Sequence, residues 1–203
     1  MRPSAALAAI LLLAACTSTA NPTPASSSGP SATPGTPAPT AALTPTPAEP
    51  VEGLGGFVCQ FPYAVDGSVG RAQITDVRGA AHAGFDRIVF QFAGGPPAAI
   101  PEFEIRVGTP PFTLDPSGLP LSVSGSDFLV IVLRGGTMVD ESGQPTYSGP
   151  TDFTPGLPVL QELANAGDFE ALSTWIAGLT GPACVRATAL ANPSRLVIDL
   201  EAQ

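Results

Sequence analysis

Lysine is missing from this chain and histidine occurs once, as His82. Without lysine there is no Schiff-base amine, no phosphate-loop lysine and no Ser-x-x-Lys nucleophile pair. A single imidazole excludes histidine-based metal clusters and HExxH proteases, and a Ser-His-Asp triad would have to be built on that one residue. No Gly-x-Ser-x-Gly elbow offers a nucleophile for it. His82 lies in Gly79-Ala80-Ala81-His82-Ala83-Gly84, between two predicted strands, and reads as an exposed loop residue. Positive charge is scarce as well: eight arginines stand against 17 acidic residues, a net charge of −9. Such a surface repels a phosphate backbone, so no nucleic-acid partner is expected.

Long apolar runs are also lacking, with one short exception. Residues 5–15 form an apolar stretch after Arg2 and end at Cys16. Eleven residues cannot cross a bilayer core that needs about 20, so residues 1–15 read as an export signal. Its last four positions, Leu13-Ala14-Ala15-Cys16, match a bacterial lipobox, in which small residues fit the peptidase cleft and the cysteine thiol takes a diacylglyceryl group. Lipidation of Cys16 is therefore expected, with an anchor on the outer side of the cell membrane; the alternative is an ordinary secretory signal with an incidental cysteine. Residues 16–50 then form a tether. Beyond Cys16 it holds nine prolines, many Ser, Thr and Ala, and one charge, Glu49. That composition has little apolar surface to bury and predicts disorder. Its reach is about 105 Å as polyproline II, or about 30 Å as a flexible coil.

Residues 51–203 hold all 13 aromatics and 20 of the 22 glycines, which suits short strands joined by turns and disfavours a helical bundle. Alternation at period two marks the strands. In 85–92, Ile88, Phe90 and Phe92 point one way and Arg87, Val89 and Gln91 the other. In 102–107, Phe103, Ile105 and Val107 oppose Glu102, Glu104 and Arg106. The segment 128–133 is apolar on both faces, as in a central strand or one covered on its second side. With 57–61, 71–78, 119–123, 174–179, 184–190 and 195–200 this makes about nine short strands in an all-β, two-layer sandwich. One short helix is predicted over 158–166, because Val159, Leu160 and Leu163 share a helical face and Gly167 follows as a cap. Once Cys16 is lipidated, Cys59 and Cys184 are the remaining thiols in an oxidising compartment, which predicts a disulfide; two buried free thiols are the alternative.

Candidate chemistry is thin. Glu102 with Glu104, and Asp199 with Glu201, share strand faces, and a glycosidase needs only two carboxylates about 5 to 10 Å apart across a cleft. Charges on an exposed strand face explain them equally well. Asp66-Gly67, Asp115-Pro116-Ser117-Gly118 and Asp140-Glu141-Ser142-Gly143 read as β-turns rather than calcium loops. No cofactor and no metal are expected. Tyr63, Tyr147 and Trp175 could stack on sugar rings. For Trp175 a core position is favoured, whereas Tyr147, in a Gly- and Pro-rich loop, is expected to be exposed.

Three segments carry a resemblance. Phe85-Asp86-Arg87-Ile88-Val89-Phe90-Gln91-Phe92, then Gly167-Asp168-Phe169-Glu170 leading to Trp175 and Gly178-Leu179, then Pro193-Ser194-Arg195-Leu196-Val197-Ile198-Asp199-Leu200 together resemble the AMIN-like domain of bacterial envelope lipoproteins, over roughly residues 57–202. The closing strand is similar to that of AMIN domains attached to cell-wall amidases and secretin-type assemblies. The resemblance implies a β-sandwich that localises proteins to the envelope, in some cases by binding peptidoglycan, and it brings no catalytic residues. The expectation is a non-catalytic module that binds cell-wall glycan or an envelope partner protein. The alternatives are an assembly factor that pairs through a strand edge and an acid-base glycan hydrolase.

Overall fold

Thirteen strands and no helix are formed by residues 56–203, the part of the chain described by this computed structural model. The expected export signal, the expected lipidation at Cys16 and the expected tether all lie outside the described residues. The strands are β1 (Tyr63–Val65), β2 (Ala72–His82), β3 (Phe85–Ala93), β4 (Glu102–Val107), β5 (Phe112–Leu114), β6 (Leu119–Leu121), β7 (Asp127–Arg134), β8 (Gly136–Thr137), β9 (Asp152–Phe153), β10 (Leu160–Phe169), β11 (Leu172–Leu179), β12 (Ala183–Leu190) and β13 (Arg195–Ala202). One sheet has the order β1-β4-β7-β11-β10-β9 and the other β12-β13-β3-β2-β8, and the β5–β6 hairpin stands apart. All pairings are antiparallel except the short β2–β8 contact.

The inward-facing residues of both sheets form one core, as period-two alternation requires. Ile88, Phe90 and Phe92 of β3 meet Phe103 and Ile105 of β4, Leu129, Ile131 and Leu133 of β7, and Trp175 of β11. The Trp175 indole is fully buried at the centre of the sandwich and meets the Phe90 ring edge-on at 5.6 Å, joining one sheet to the other. Truncation of such an anchor costs about 3–5 kcal/mol. Val107 departs from the pattern: it lies at the end of β4, beyond the core, and is 60% exposed.

The both-sided apolarity of 128–133 has a structural cause. β7 lies inside its sheet, between β4 and β11, and its outer residues Val130 and Val132 pack with Ile176 and Ala166 under Phe112 and Leu121 of the β5–β6 hairpin. The outer face of the six-stranded sheet is thus dry where the hairpin covers it.

The helix expected over 158–166 is absent, and β10 occupies most of that segment. Register shifts between Leu160 and Glu162, and between Asn165 and Gly167, insert extra residues into the strand. A bulge reverses the alternation, so Leu160 and Leu163, three residues apart, both face the core; the same spacing imitates a helical stripe. Gly167, read as a helix cap, belongs to the second bulge. The expected strand over 57–61 also fails: only Val58 pairs, with Val185, and a strand begins only at β1. Pro62, between them, has no amide hydrogen to continue a ladder.

Two features fasten the layers. Asp86 shares its strand parity with Ile88 and is turned inward, where its Oδ2 accepts the amides of Val159 and Leu160 at 2.6 and 2.8 Å. A disulfide joins Cys59 to Cys184 across 125 positions and holds the segment before β1 beside β12.

Candidate functional site

Of the three aromatic residues proposed as sugar platforms, Trp175 and Tyr147 are interior. Trp175 donates its indole N–H to Ser173 Oγ at 3.0 Å within the core. Tyr147 is corrected from exposed to buried, at 7% exposure. Its hydroxyl donates to the Pro150 carbonyl at 2.7 Å and its ring lies 6.3 Å from that of Trp175. The loop folds back because Thr146 Oγ1 donates to the Ile74 carbonyl at 2.8 Å, which turns the tyrosine under it. Tyr63 is half-buried edge-on against Phe103 at 5.9 Å, and burial raises its pKa.

A different cluster reaches the surface, on the outer face of the five-stranded sheet. Strand register places Ala80, Arg87, Asp199 and Arg186 in one row across β2, β3, β13 and β12. Asp199, almost wholly buried between its neighbours, accepts Arg87 Nε and Nη2 at 2.6 and 3.1 Å, and Arg186 Nε and Nη2 at 3.1 and 2.6 Å. Burial alone would raise its pKa; the hydrogen bonds from Arg87 and Arg186, and then their charges, outweigh that and hold the carboxyl below its ordinary range. The disulfide-held segment brings Phe57 alongside. Arg186 lies over the Phe57 ring at 4.5 Å, both guanidinium groups lie 5.3 Å from the Phe85 ring, and His82 stacks on Phe85 at 5.1 Å.

The cluster presents half-buried aromatic edges and planar guanidinium groups locked by a carboxylate that neither can leave cheaply. Each arginine uses Nε and Nη2 on Asp199, so Nη1 of each remains available as a donor. Two guanidinium groups share the single Asp199 carboxylate on a chain of net charge −9. Flat apolar faces edged by fixed donors suit a ligand with ring faces and hydroxyl or amide oxygens. Sequence reading had Arg87 on an outward face and Asp199 on a charged one; what it missed was the row, because Phe57, Phe85 and the Arg186–Asp199 strand pair come from three distant segments.

The carboxylates considered for acid-base work are placed otherwise. Glu102 and Glu104 form a surface ladder with Arg134 at 3.2 and 3.4 Å. Asp199 is committed to its arginines. One further pair emerges: Asp152 of β9 and Glu162 of β10 share a side-chain hydrogen bond, and burial, then the charge of Glu162, raises the Asp152 pKa. Glu162 Oε2 also accepts the Ser124 amide at 2.8 Å. Carboxyls in direct contact leave no room for a sugar or a water between them, unlike the 5–10 Å separation of glycosidases. The Asp140 turn uses its own carboxylate, which accepts the Ser142 hydroxyl at 2.7 Å and the Gln144 amide at 2.9 Å; those bonds lower its pKa. Among the described residues no group of three or more metal-ligating side chains converges.

The sequence profile of the AMIN-like domain matches residues 72–202, from the first residue of β2 to the last of β13. No curated protein and no solved structure matches the chain.

Proposed function

From the premise that this chain belongs to the AMIN-like domain family, we propose that it is a lipid-anchored envelope protein whose sandwich binds cell-wall glycan. Membership implies an extracytoplasmic, envelope-associated and non-enzymatic role. The finer reading combines three features. The Leu13-Ala14-Ala15-Cys16 lipobox marks the lipidation site, the Pro-, Thr- and Ser-rich segment that follows is a spacer, and the outer-face cluster around Asp199 receives the ligand. The single observation that carries the binding reading is the row of Arg87, Asp199 and Arg186 with Phe57, Phe85 and His82 on it, which sets fixed donors beside ring faces. A chain at −9 is repelled by anionic polymers, so contact with the wall relies on stacking and hydrogen bonds rather than bulk charge.

The test is co-sedimentation of the full-length protein, purified in detergent, with isolated peptidoglycan. Saturable binding that survives moderate salt and drops at least several-fold in Phe85→Ala supports the reading. No binding by the wild type, or full binding by Phe85→Ala together with Phe57→Ala, overturns it. For the anchor, Cys16→Ala is expected to leave the detergent phase; unchanged retention would refute lipidation.

A second reading, assembly through a strand edge, is favoured by β12. It is the outermost strand of its sheet, and Val58 exchanges hydrogen bonds with Val185 at 2.7 and 2.8 Å. Ala187 and Ala189 present their amides and carbonyls along the same edge, and among the described residues no strand covers them. An extended segment of an envelope partner could pair there by β-augmentation. Co-purification of one envelope protein, with no peptidoglycan binding, would favour this reading over the first.

A further inference from the structure

Of the seven arginines among the described residues, six are engaged: Arg78, Arg87, Arg106, Arg134 and Arg186 with carboxylates, and Arg195 with backbone carbonyls. Arg71 alone has no hydrogen bond or ion pair among them. It is exposed, at the entry to β2, on the wall of a half-enclosed cleft of about 210 Å³ that Gln73, Gly94, Gly95 and Glu141 also line. A chain this rich in carboxylates has little reason to leave a guanidinium unpaired unless geometry keeps the carboxylates away. Glu141 lines the same cleft yet stays beyond ion-pair distance of it.

The cleft is built rather than incidental. Beside it the loop before β2 crosses the end of β7, where Gly70 and Gly135 line a neighbouring cavity and a Cβ on Gly135, at φ +91°, would lie 2.3 Å from the Gly70 carbonyl oxygen. No side chain fits there. The far wall is the 94–99 loop, where Gly94 and Gly95 adopt left-handed φ of 60° and 81° and their amides have no partner among the described residues. That loop is pinned at both ends. Buried Ser194 donates to the Pro96 carbonyl at 3.1 Å and accepts the Ala99 amide at 3.2 Å, and Ile100 exchanges hydrogen bonds with Ser68. A second, more open cavity of about 540 Å³ shares Val69 with the first, and a third of about 230 Å³ shares Phe92, Gly94 and Gly95, so the three form one groove across this end of the sandwich.

We propose that this groove is a second binding site, distinct from the outer-face cluster, for a ligand that carries a carboxylate beside an amide N–H. Arg71 and the amides of Gly94 and Gly95 take the carboxylate, and Glu141 accepts the amide hydrogen. Preset donors around a fixed void are what a charge-assisted contact needs, because little must be ordered on binding. An amide-bearing sugar acid and the C-terminal residue of a peptide both have this pattern. The choice of wall fragments as probes rests on the glycan reading above; the site itself does not.

The experiment uses the full-length, ¹⁵N-labelled protein in detergent, titrated separately with N-acetylmuramic acid, D-alanyl-D-alanine and the neutral sugar N-acetylglucosamine. Shifts at the Gly94 and Gly95 amides with one carboxylate probe, at least tenfold weaker with the neutral sugar, are expected, and the probe that acts identifies the source. Arg71→Gln, a change at an exposed and unpartnered side chain, is expected to weaken that binding at least tenfold, while Arg106→Gln on β4 leaves it unchanged. Absence of shifts with both carboxylate probes, or equal affinity of Arg71→Gln, overturns the site. Co-sedimentation separates the two proposals. Peptidoglycan binding that ignores Arg71→Gln, with no probe seated in the groove, removes the groove and leaves the outer-face reading; probes seated at Arg71 without any peptidoglycan binding do the reverse.

Discussion

The two outer faces of this sandwich are made from the same alternation and end in opposite conditions. On the six-stranded sheet part of the outward face is apolar, Val130, Val132 and Ile176, and the β5–β6 hairpin covers that part with Phe112 and Leu121, leaving the Glu102, Glu104 and Arg134 ladder outside. On the five-stranded sheet the outward row is Arg87, Asp199 and Arg186, its two guanidinium groups about a third exposed around a buried carboxylate and edged by Phe57, Phe85 and His82. A covered face contributes stability and leaves nothing to recognise. An open face held rigid by a buried carboxylate gives up some stability to desolvation and keeps donors in place for a ligand.

The contrast breaks most completely if the polar face loses its staple. Cys59→Ser with Cys184→Ser frees the segment that carries Phe57 and reopens a loop of 125 positions. On the chain-entropy estimate the loss is about 4–5 kcal/mol, before strain and residual structure reduce it. Thermal or urea unfolding of oxidised and reduced protein measures it, and a change under 1 kcal/mol would mean that the packing of Val58 on Val185 suffices.

A smaller effect sharpens the comparison from the centre of the polar row. Asp199→Asn leaves two guanidinium groups, each about a third exposed, facing a neutral amide. The expected cost is about 2–3 kcal/mol, below that of a fully buried pair because water reaches the arginines. The pH dependence has a definite sign. The folded-state carboxyl titrates below its ordinary range, so its stabilisation is present above the unfolded pKa of about 3.9 and is lost as pH falls through the lower folded value. Asp199→Asn should flatten this acid limb of the stability curve; an unchanged limb would assign acid unfolding to other carboxylates.

The smallest effect tests the dry face. Phe112→Ala removes one half-buried ring that meets Phe128 edge-on at 5.2 Å. A loss of about 1–2 kcal/mol is expected, with new binding of an apolar dye as Val130 and Val132 become wet, and with peptidoglycan binding unchanged. Loss of peptidoglycan binding in this variant would move recognition to the other face.

Much of the sandwich was legible because period-two alternation is a local property. Ile88, Phe90 and Phe92 announce their common side within one segment, and the apolar run 128–133 announces cover on both sides, although not by what. Legibility failed where the chain breaks its own period. The bulges of β10 turned a strand into an apparent helix, and β5, β8 and β9, at two or three residues each, are too short to show alternation. Asp86 was visible as a charge on an apolar parity, yet its role as the acceptor for Val159 and Leu160 depends on a segment more than seventy positions away.

For the site, the residues at fault were the aromatics. Gly- and Pro-rich surroundings made Tyr147 look exposed, but exposure depends on where a loop returns, and the Thr146 contact to Ile74 returns it to the core. Composition and local pattern by themselves determined the all-β class and the acidic net charge, since each depends on residue type and near neighbours alone. Only the tertiary structure decided which outward face stays open, that Arg87, Asp199 and Arg186 form one row, and that Arg71 lines a groove without an ion pair. Those are relations among strands up to a hundred or more residues apart, and the register that sets them is fixed by packing of the whole sheet rather than by any segment's own preference.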